Sequence, residues 1–251
     1  MPSKRLGSLS IAEERTPARN SSSLGSRSRI LIDRTPLHQD AWGSIRTAFP
    51  TVNYMKEVKV EKLTRADGGE LLELFTCAFR GHPLSRAADI PPEKTDILIK
   101  AFYDLFAADA IPLLCGIRRD NRLVCASLST DSGTKPPLFA LLRFIVTLRW
   151  YLGRRITEGF ITVSRQMPKY GKRYLELELF GTLPSCRRQG LGRRMMRFLY
   201  AEARRREYGG VTLATVRNSP AFQFYLKEGF HLDREIPFGN TTLSCMRLES
   251  S

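Results

Sequence analysis

The run Arg187-Arg188-Gln189-Gly190-Leu191-Gly192 gathers the residue types that bind a polyphosphate. Two glycines let a ligand come close to the main chain, and arginines around them offer charge-assisted hydrogen bonds to phosphate oxygens. Upstream, Leu175, Leu177 and Leu179 alternate with Glu176, Glu178 and Phe180, which predicts a strand with an apolar row on one face and two carboxylates on the other. Pro184 and Ser185 end it. Downstream, Leu191, Met195, Leu199 and Ala203 recur at helical spacing. The loop therefore opens a helix, whose free N–H groups and dipole favour an anion, and a pyrophosphate fits. Two familiar loops do not. Gly192 is followed by Arg193-Arg194 where a Walker A loop needs Lys-Ser/Thr, and Met195 stands where a dinucleotide fingerprint needs its third small residue.

A second pattern follows a predicted strand, Val211–Val216: Asn218-Ser219-Pro220-Ala221-Phe222-Gln223-Phe224-Tyr225-Leu226-Lys227-Glu228-Gly229-Phe230. In this order the two resemble the signatures of the GNAT-type N-acetyltransferase superfamily, Arg/Gln-x-x-Gly-x-Gly/Ala and Asn-x-x-Ala-x-x-Phe-Tyr-x-x-x-Gly-Phe. The resemblance is strong over Leu175–Phe230, fainter over Ala66–Thr130 and absent before about Tyr54. It implies an α/β (α+β) fold, a central mixed, mostly antiparallel twisted sheet flanked by helices. It also implies acetyl-CoA as co-substrate, no metal, and acetyl transfer to an amine by direct attack on the thioester. The passage from Cys77-Ala78-Phe79 to His82-Pro83 resembles one in the small-amine subgroup that includes puromycin acetyltransferase. A small amine is therefore expected ahead of a protein amine.

Amine attack requires a neutral nucleophile, and an alkylammonium has a pKa of about 10.4, so a base must take its proton. The strand carboxylates are available. The resemblance places Glu176 at the superfamily's catalytic glutamate, with Glu178 on the same face in reserve and a water chain as the alternative. It assigns main-chain contacts with the acetyl and pantetheine arms to Phe180, Gly181 and Thr182, and the pyrophosphate to Arg187, Arg188, Gln189, Gly190, Leu191, Gly192 and Arg193. Tyr225 matches the tyrosine facing the departing sulfur, and Asn218 a residue on the pantetheine or phosphate arm. Asn218 is otherwise a helix cap, and Glu176 and Glu178 are otherwise solvated strand glutamates. Cys186, on the loop, is a possible acetyl carrier, although direct transfer is the family habit.

The elements that position these groups occupy the rest of the chain. Lys56–Lys62 predicts a first strand, Ala66–Phe79 and Glu93–Ala108 two helices, and Pro112–Ile117 with Leu123–Ser129 an antiparallel hairpin across Arg118–Arg122. A helical insertion is expected at about 131–172. Within it, Leu138–Leu152 is too short to span a bilayer and reads as a core-packing helix, ahead of a lid or a membrane-surface helix. Glu235–Asn240 reads as a turn-rich connection and Leu243–Leu248 as a last antiparallel strand. Residues 54–251 form the expected N-acetyltransferase domain.

Residues 1–53, rich in Ser and Arg and broken by Pro17, Pro36 and Pro50, are expected to be a disordered basic tail. Such a composition also suits an organellar transit peptide, against which stand Glu13 and Glu14. No transmembrane segment is expected. Five scattered cysteines without a Cys-x-x-Cys pair point to a reducing compartment, the cytoplasm, and three separated histidines show no metal-ligand spacing. The formal charge of +15 invites nucleic acid. Basic residues concentrate in the tail and at the loop, however, and no stacking or helix-turn-helix motif accompanies them, so nucleic-acid binding is not expected. Oligomeric state is open. Against an N-acetyltransferase stand a catalytically degenerate CoA sensor, a protein lysine or N-terminal acetyltransferase, and a basic membrane- or nucleic-acid-associated protein.

Overall fold

A two-residue turn sets the register of the first strands. Asp120 and Asn121 take φ of 48° and 62°, the left-handed conformation whose twist suits a hairpin. Arg119 therefore faces Arg122, a tighter turn than the expected Arg118–Arg122 connection. The protein, seen here in a computed structural model, is described over residues 59–108 and 112–250. The tail expected at 1–53, and residues 56–58 of the expected first strand, lie outside them.

The hairpin strands are β2 (Leu113–Arg119) and β3 (Arg122–Asp131), with β1 (Val60–Lys62) antiparallel beside β2. On the other side β3 pairs antiparallel with β4 (Leu175–Thr182), and β4 pairs parallel with β5 (Gly210–Val216). β7 (Thr241–Glu249) lies antiparallel between β5 and β6 (His231–Phe238), giving the order β1-β2-β3-β4-β5-β7-β6. With one parallel pair, the sheet is mixed and mostly antiparallel, as the resemblance implied. The turn-rich connection expected at Glu235–Asn240 is a correction: the strand continues to Phe238, and only Gly239 and Asn240 turn. β6 is an edge strand exposed over His231–Glu235, so it shows no alternation by which to read it.

β4 carries the second departure. Leu128 pairs with Leu179 but Ser129 with Leu177, leaving Glu178 as a bulge. Paired residues share a face, so the extra residue reverses the alternation. Ser127, opposite Phe180, donates from Oγ to Met195 Sδ at 3.4 Å, which marks the face that carries the helix after β4. By the alternation of β3, Leu177 and Leu175 share that face, while Glu176, Leu179 and Gly181 look the other way. The single apolar row expected from Leu175, Leu177 and Leu179 is thus divided between two faces, both covered, and all three leucines are buried.

Among the described residues, seven α-helices pack about the sheet. α1 (Gly68–Phe79) follows a 3₁₀ turn closed by a reciprocal cap, Thr64 Oγ1 accepting from the Ala66 N–H and Asp67 Oδ2 from the Thr64 N–H. It buries Leu71, Leu74, Phe75 and Ala78, and a Cβ on Gly181 would stand 2.8 Å from that of Ala78. A short helix, α2 (Pro83–Ala87), is capped by His82, and α3 (Thr95–Phe106) lies alongside α1. α4 (Leu138–Tyr151) and α5 (Arg154–Gln166) fill the stretch expected to be helical between β3 and β4. They attach through an aromatic series, Phe144 to Phe102, Phe102 to Phe160 and Phe160 to Phe238, with centroids 5.2, 5.3 and 4.9 Å apart. The core role expected of α4 holds on one side only: Leu148 and Phe144 pack into a core cluster, but Ala140 and Leu148 are the only residues fully buried along it. α6 (Leu191–Arg205) covers the opposite face with Leu191, Met195, Leu199 and Ala203 buried, and α7 (Pro220–Lys227) follows β5.

Candidate active site

The parallel pair β4 and β5 stays together for only three residues, Leu175 to Val211, Glu176 to Thr212 and Leu177 to Leu213. Beyond that point the strands part. Leu179–Thr182 pair with β3 alone, and Ala214–Val216 with β7 alone. The backbone of β4 is thereby open on one side where Phe180, Gly181 and Thr182 were expected to meet a ligand. An unpaired strand edge inside a fold offers donors and acceptors to an extended arm.

The slot ends at the glycine loop. Gly190, at φ 77°, is the residue preceding α6, and Arg194 N–H is bonded back to Gly190 O at 3.1 Å. The N–H groups of Leu191, Gly192 and Arg193 therefore precede the first such helical bond and face outward. Gly192 lies against two rings: an added Cβ would stand 3.2 Å from Phe224 Cζ and 3.5 Å from Phe180 Cζ. The loop's side chains divide. Arg187 donates from Nη2 to Ala78 O at 2.9 Å, tying the end of α1 to the loop, and from Nε to Thr182 O at 3.4 Å. Gln189 accepts from Arg119 and donates to Ser185 O, and Arg193 pairs with Glu228 at 2.9 Å. Three of the side chains expected at the phosphates thus have structural partners, and Arg188 is exposed at φ 61°. A CoA pyrophosphate suits the main chain of this loop and Arg188 better than it suits Arg187.

Glu176 opens on a cavity of about 290 Å³ beneath α5, lined also by Met167, Tyr170, Thr212 and Cys245. Burial pushes its carboxyl above the ordinary 4.5. Thr212 Oγ1, buried in the same wall, has no hydrogen-bond partner among the described residues. Glu178 is occupied differently: Thr130 Oγ1 donates to its Oε1 at 2.9 Å. The two carboxylates are therefore not equivalent, although the bulge places both near Thr130.

Tyr225 is fully enclosed, its ring against Phe224 and Phe230 at 5.3 and 5.5 Å. Burial, with a smaller contribution from Cys125, raises its phenol well above the ordinary 10, so it remains a neutral O–H donor. Phe224 reaches Phe180 and Gly192, which puts this corner of α7 on the α6 side of the slot, with Glu176 on the α5 side. Asn218 takes φ 60° and is exposed, while the cap of α7 is Ser219, whose Oγ accepts from Phe222 N–H at 3.1 Å. The capping alternative for Asn218 is thereby corrected. Cys186 is half-buried, and all five cysteines are free thiols.

Sequence reasoning passed over His82 as an ordinary histidine. Its Nδ1 accepts from Leu84 N–H at 3.2 Å and its ring lies 4.9 Å from that of Phe79. Burial, and then the Arg187 charge, push its pKa down to about 4. The nearby His-Pro pair was a signal for the cap, since proline favours the first helical position. Among the described residues no three His, Cys, Asp or Glu side chains converge as a metal group would need.

Residues 143–232 match the family model of the acetyltransferase (GNAT) domain. Over those residues the chain is similar to the GNAT acetyltransferase domain. The match opens inside α4 and closes at the start of β6, so it takes in the slot, the loop, Glu176 and Tyr225. No curated protein matches the sequence significantly. Among solved structures, the chain is similar to the polyamine N-acetyltransferase of Drosophila melanogaster, with 12% identity and a TM-score of 0.52 over 77% of this chain and all of that one. It is also similar to a Corynebacterium glutamicum structure described as histone acetyltransferase HPA2 and related acetyltransferase, at 18% identity and TM-score 0.51, covering 77% of this chain and 97% of that one. A third similar structure is the C-terminal condensation domain of Ebony in complex with beta-alanyl-dopamine, at 15% identity and TM-score 0.52, covering 77% and 100%. At these identities the likeness is one of fold, and a fold does not specify an acceptor. The GNAT sheet observed here is that shared architecture.

Proposed function

We propose that this GNAT domain transfers the acetyl group of acetyl-CoA to the amine of a small molecule that enters the cavity beside Glu176. The observation that carries the reading is the parted β4–β5 slot, with an anion-receptive loop at its end and a half-buried carboxyl of raised pKa on its far side. Bound acetyl-CoA supplies an activated acyl thioester. The N–H groups of Leu191–Arg193 and the Arg188 guanidinium hold its pyrophosphate, while the open edge at Phe180–Thr182 receives its arm. Donors fixed along that edge also favour negative charge on an acyl oxygen.

The chain's own groups divide the proton work. Glu176 takes the amine proton. A carboxyl with a raised pKa is the stronger base when ionised, and Thr212 Oγ1 offers the amine a second polar contact. Tyr225 donates a hydrogen bond toward the departing sulfur from the other side of the slot. Its high pKa opposes full proton transfer, so its role is stabilisation of the thiolate.

Lys169 and Lys172 line the same cavity and repel polycationic acceptors such as lysine-rich tails, which supports a small amine over a protein one. The free thiols and the use of acetyl-CoA favour a reducing, cytoplasmic setting. The test is an acceptor screen with purified protein and acetyl-CoA, read as free CoA thiol, over small amines with and without acidic groups, polyamines and lysine peptides. Turnover confined to small amines is expected. Acetyl-CoA binding without turnover of any acceptor would identify a sensor, and preference for lysine peptides would overturn the small-amine assignment.

A further inference from the structure

α4 packs on the domain along one side and turns a second apolar side outward. Phe139, Leu142, Val146 and Trp150 follow one another at helical spacing along a single face and are 70%, 54%, 62% and 82% exposed. No described helix is long and apolar enough to cross a membrane, and α4 spans fourteen residues. The helix is held from behind by buried Leu148, by Phe144 on Phe102, and by Arg143 paired with Asp104 at 2.6 Å. The outward face is therefore fixed in place as an exposed apolar ridge.

Charge selects what can cover it. Between residues 132 and 173 the chain has nine Lys and Arg and a single acidic residue, Glu158. Arg149 is exposed within the stripe and Lys135 beside it, while Arg154 and Arg155 are exposed around it and pair with Glu158 and Asp89. A second copy docking by the same face would bring two such basic segments together. The chain's own residues 1–53 are of the same sign, with eight basic and four acidic residues. An outward row of Trp, Phe, Leu and Val bordered by arginine and lysine is the composition of a helix that lies in a lipid interface, apolar side in the acyl boundary and cations on the headgroups. The geometry points to α4 as a docking ridge for an anionic lipid bilayer, on which the domain rests without crossing it.

The test is flotation of the full chain with phosphatidylcholine vesicles and with vesicles containing about 30 mol% phosphatidylserine. Binding to the anionic vesicles is expected, weakened by salt, with little on neutral ones. Phe139→Ser with Trp150→Ser replaces exposed side chains, so the fold and acetyl-CoA affinity are expected to hold while vesicle partitioning falls about ten-fold or more. In a Trp42→Phe background, brominated lipid is expected to quench Trp150. Wild-type partitioning by the double variant, or an unquenched Trp150, would show that the basic residues bind without the ridge and overturns the proposal. So does equal binding to neutral vesicles. Absence of vesicle binding overturns it too, and a dimer in sedimentation that the same two substitutions dissolve would assign the ridge to a second copy instead.

Discussion

Glu176, Tyr225 and His82 owe their chemistry to burial, and each makes a separate prediction. The raised carboxyl of Glu176 puts the acid limb of kcat/KM above the ordinary 4.5, and Glu176→Gln is expected to lose most turnover at neutral pH and recover part of it as the amine's own pKa is approached. The same burial disfavours the ionised form in the folded state. Its contribution to stability is complete below 4.5 and is lost as pH rises through the raised value. Glu176→Gln should therefore melt higher than wild type at pH 7.5, with the difference vanishing near pH 4.5. A Glu176→Gln enzyme with the wild-type pH–rate profile would transfer the base role to water or another residue. Tyr225→Phe keeps the packing and removes one donor, so a loss of about 10²-fold in kcat is expected across the pH range, smaller with a donor of more acidic thiol. His82 has the opposite sign from Glu176: the unfolded chain takes up its proton near 6.5 while the folded one resists to about 4, so stability is lost as pH falls through that interval, by up to roughly 3 kcal/mol. His82→Asn retains a capping side chain and should flatten that acid slope in denaturant titrations.

At the level of elements, the glycine loop and the parted strands carry the argument. Gly192→Leu forces a side chain against Phe224 and Phe180, and a rise of at least ten-fold in the acetyl-CoA dissociation constant, about 1.4 kcal/mol, is expected by calorimetry. Gly190 differs, because no atom stands within 4 Å of its added Cβ and only its φ of 77° resists substitution. Gly190→Ala should cost about 1 to 2 kcal/mol of stability, and Gly190→Asn less. Loop, helix and both signatures were legible because local rules set them: Leu191, Met195, Leu199 and Ala203 are all buried at the spacing the sequence shows. The bulge at Glu178 was not legible, since it arises from the register of β3 against β4, and burial along β4 still alternates as if it were absent. Edge strand β6 escaped for want of alternation. α4 misled for the opposite reason: a strongly apolar run reads as core, and the sequence does not say which neighbour it lacks. Arg187 was read as a phosphate ligand from its place in the motif, whereas its reach to Ala78 O depends on α1, more than a hundred residues away.

Across the molecule, the described residues hold a complete seven-stranded sheet covered on both faces. Removal of residues 1–53 is accordingly expected to leave melting within about 2 °C of the full chain and acetyl-CoA affinity unchanged; failure of the shortened chain to fold would place part of the core in that segment. In the proposed mechanism the reaction is divided between two sides of one sheet, with the amine admitted beneath α5 and the thiol released on the α6 side. That division depends on acetyl-CoA lying in the opening between β4 and β5. Hydrogen exchange read by mass spectrometry, with and without acetyl-CoA, tests it most directly. Slower exchange is predicted in peptides covering Leu179–Thr182 and Arg188–Arg193, with little change at the paired ends Leu175–Leu177 and Val211–Leu213. Acetyl-CoA binding that protects other segments and leaves the β4 edge and the loop unchanged would contradict the account.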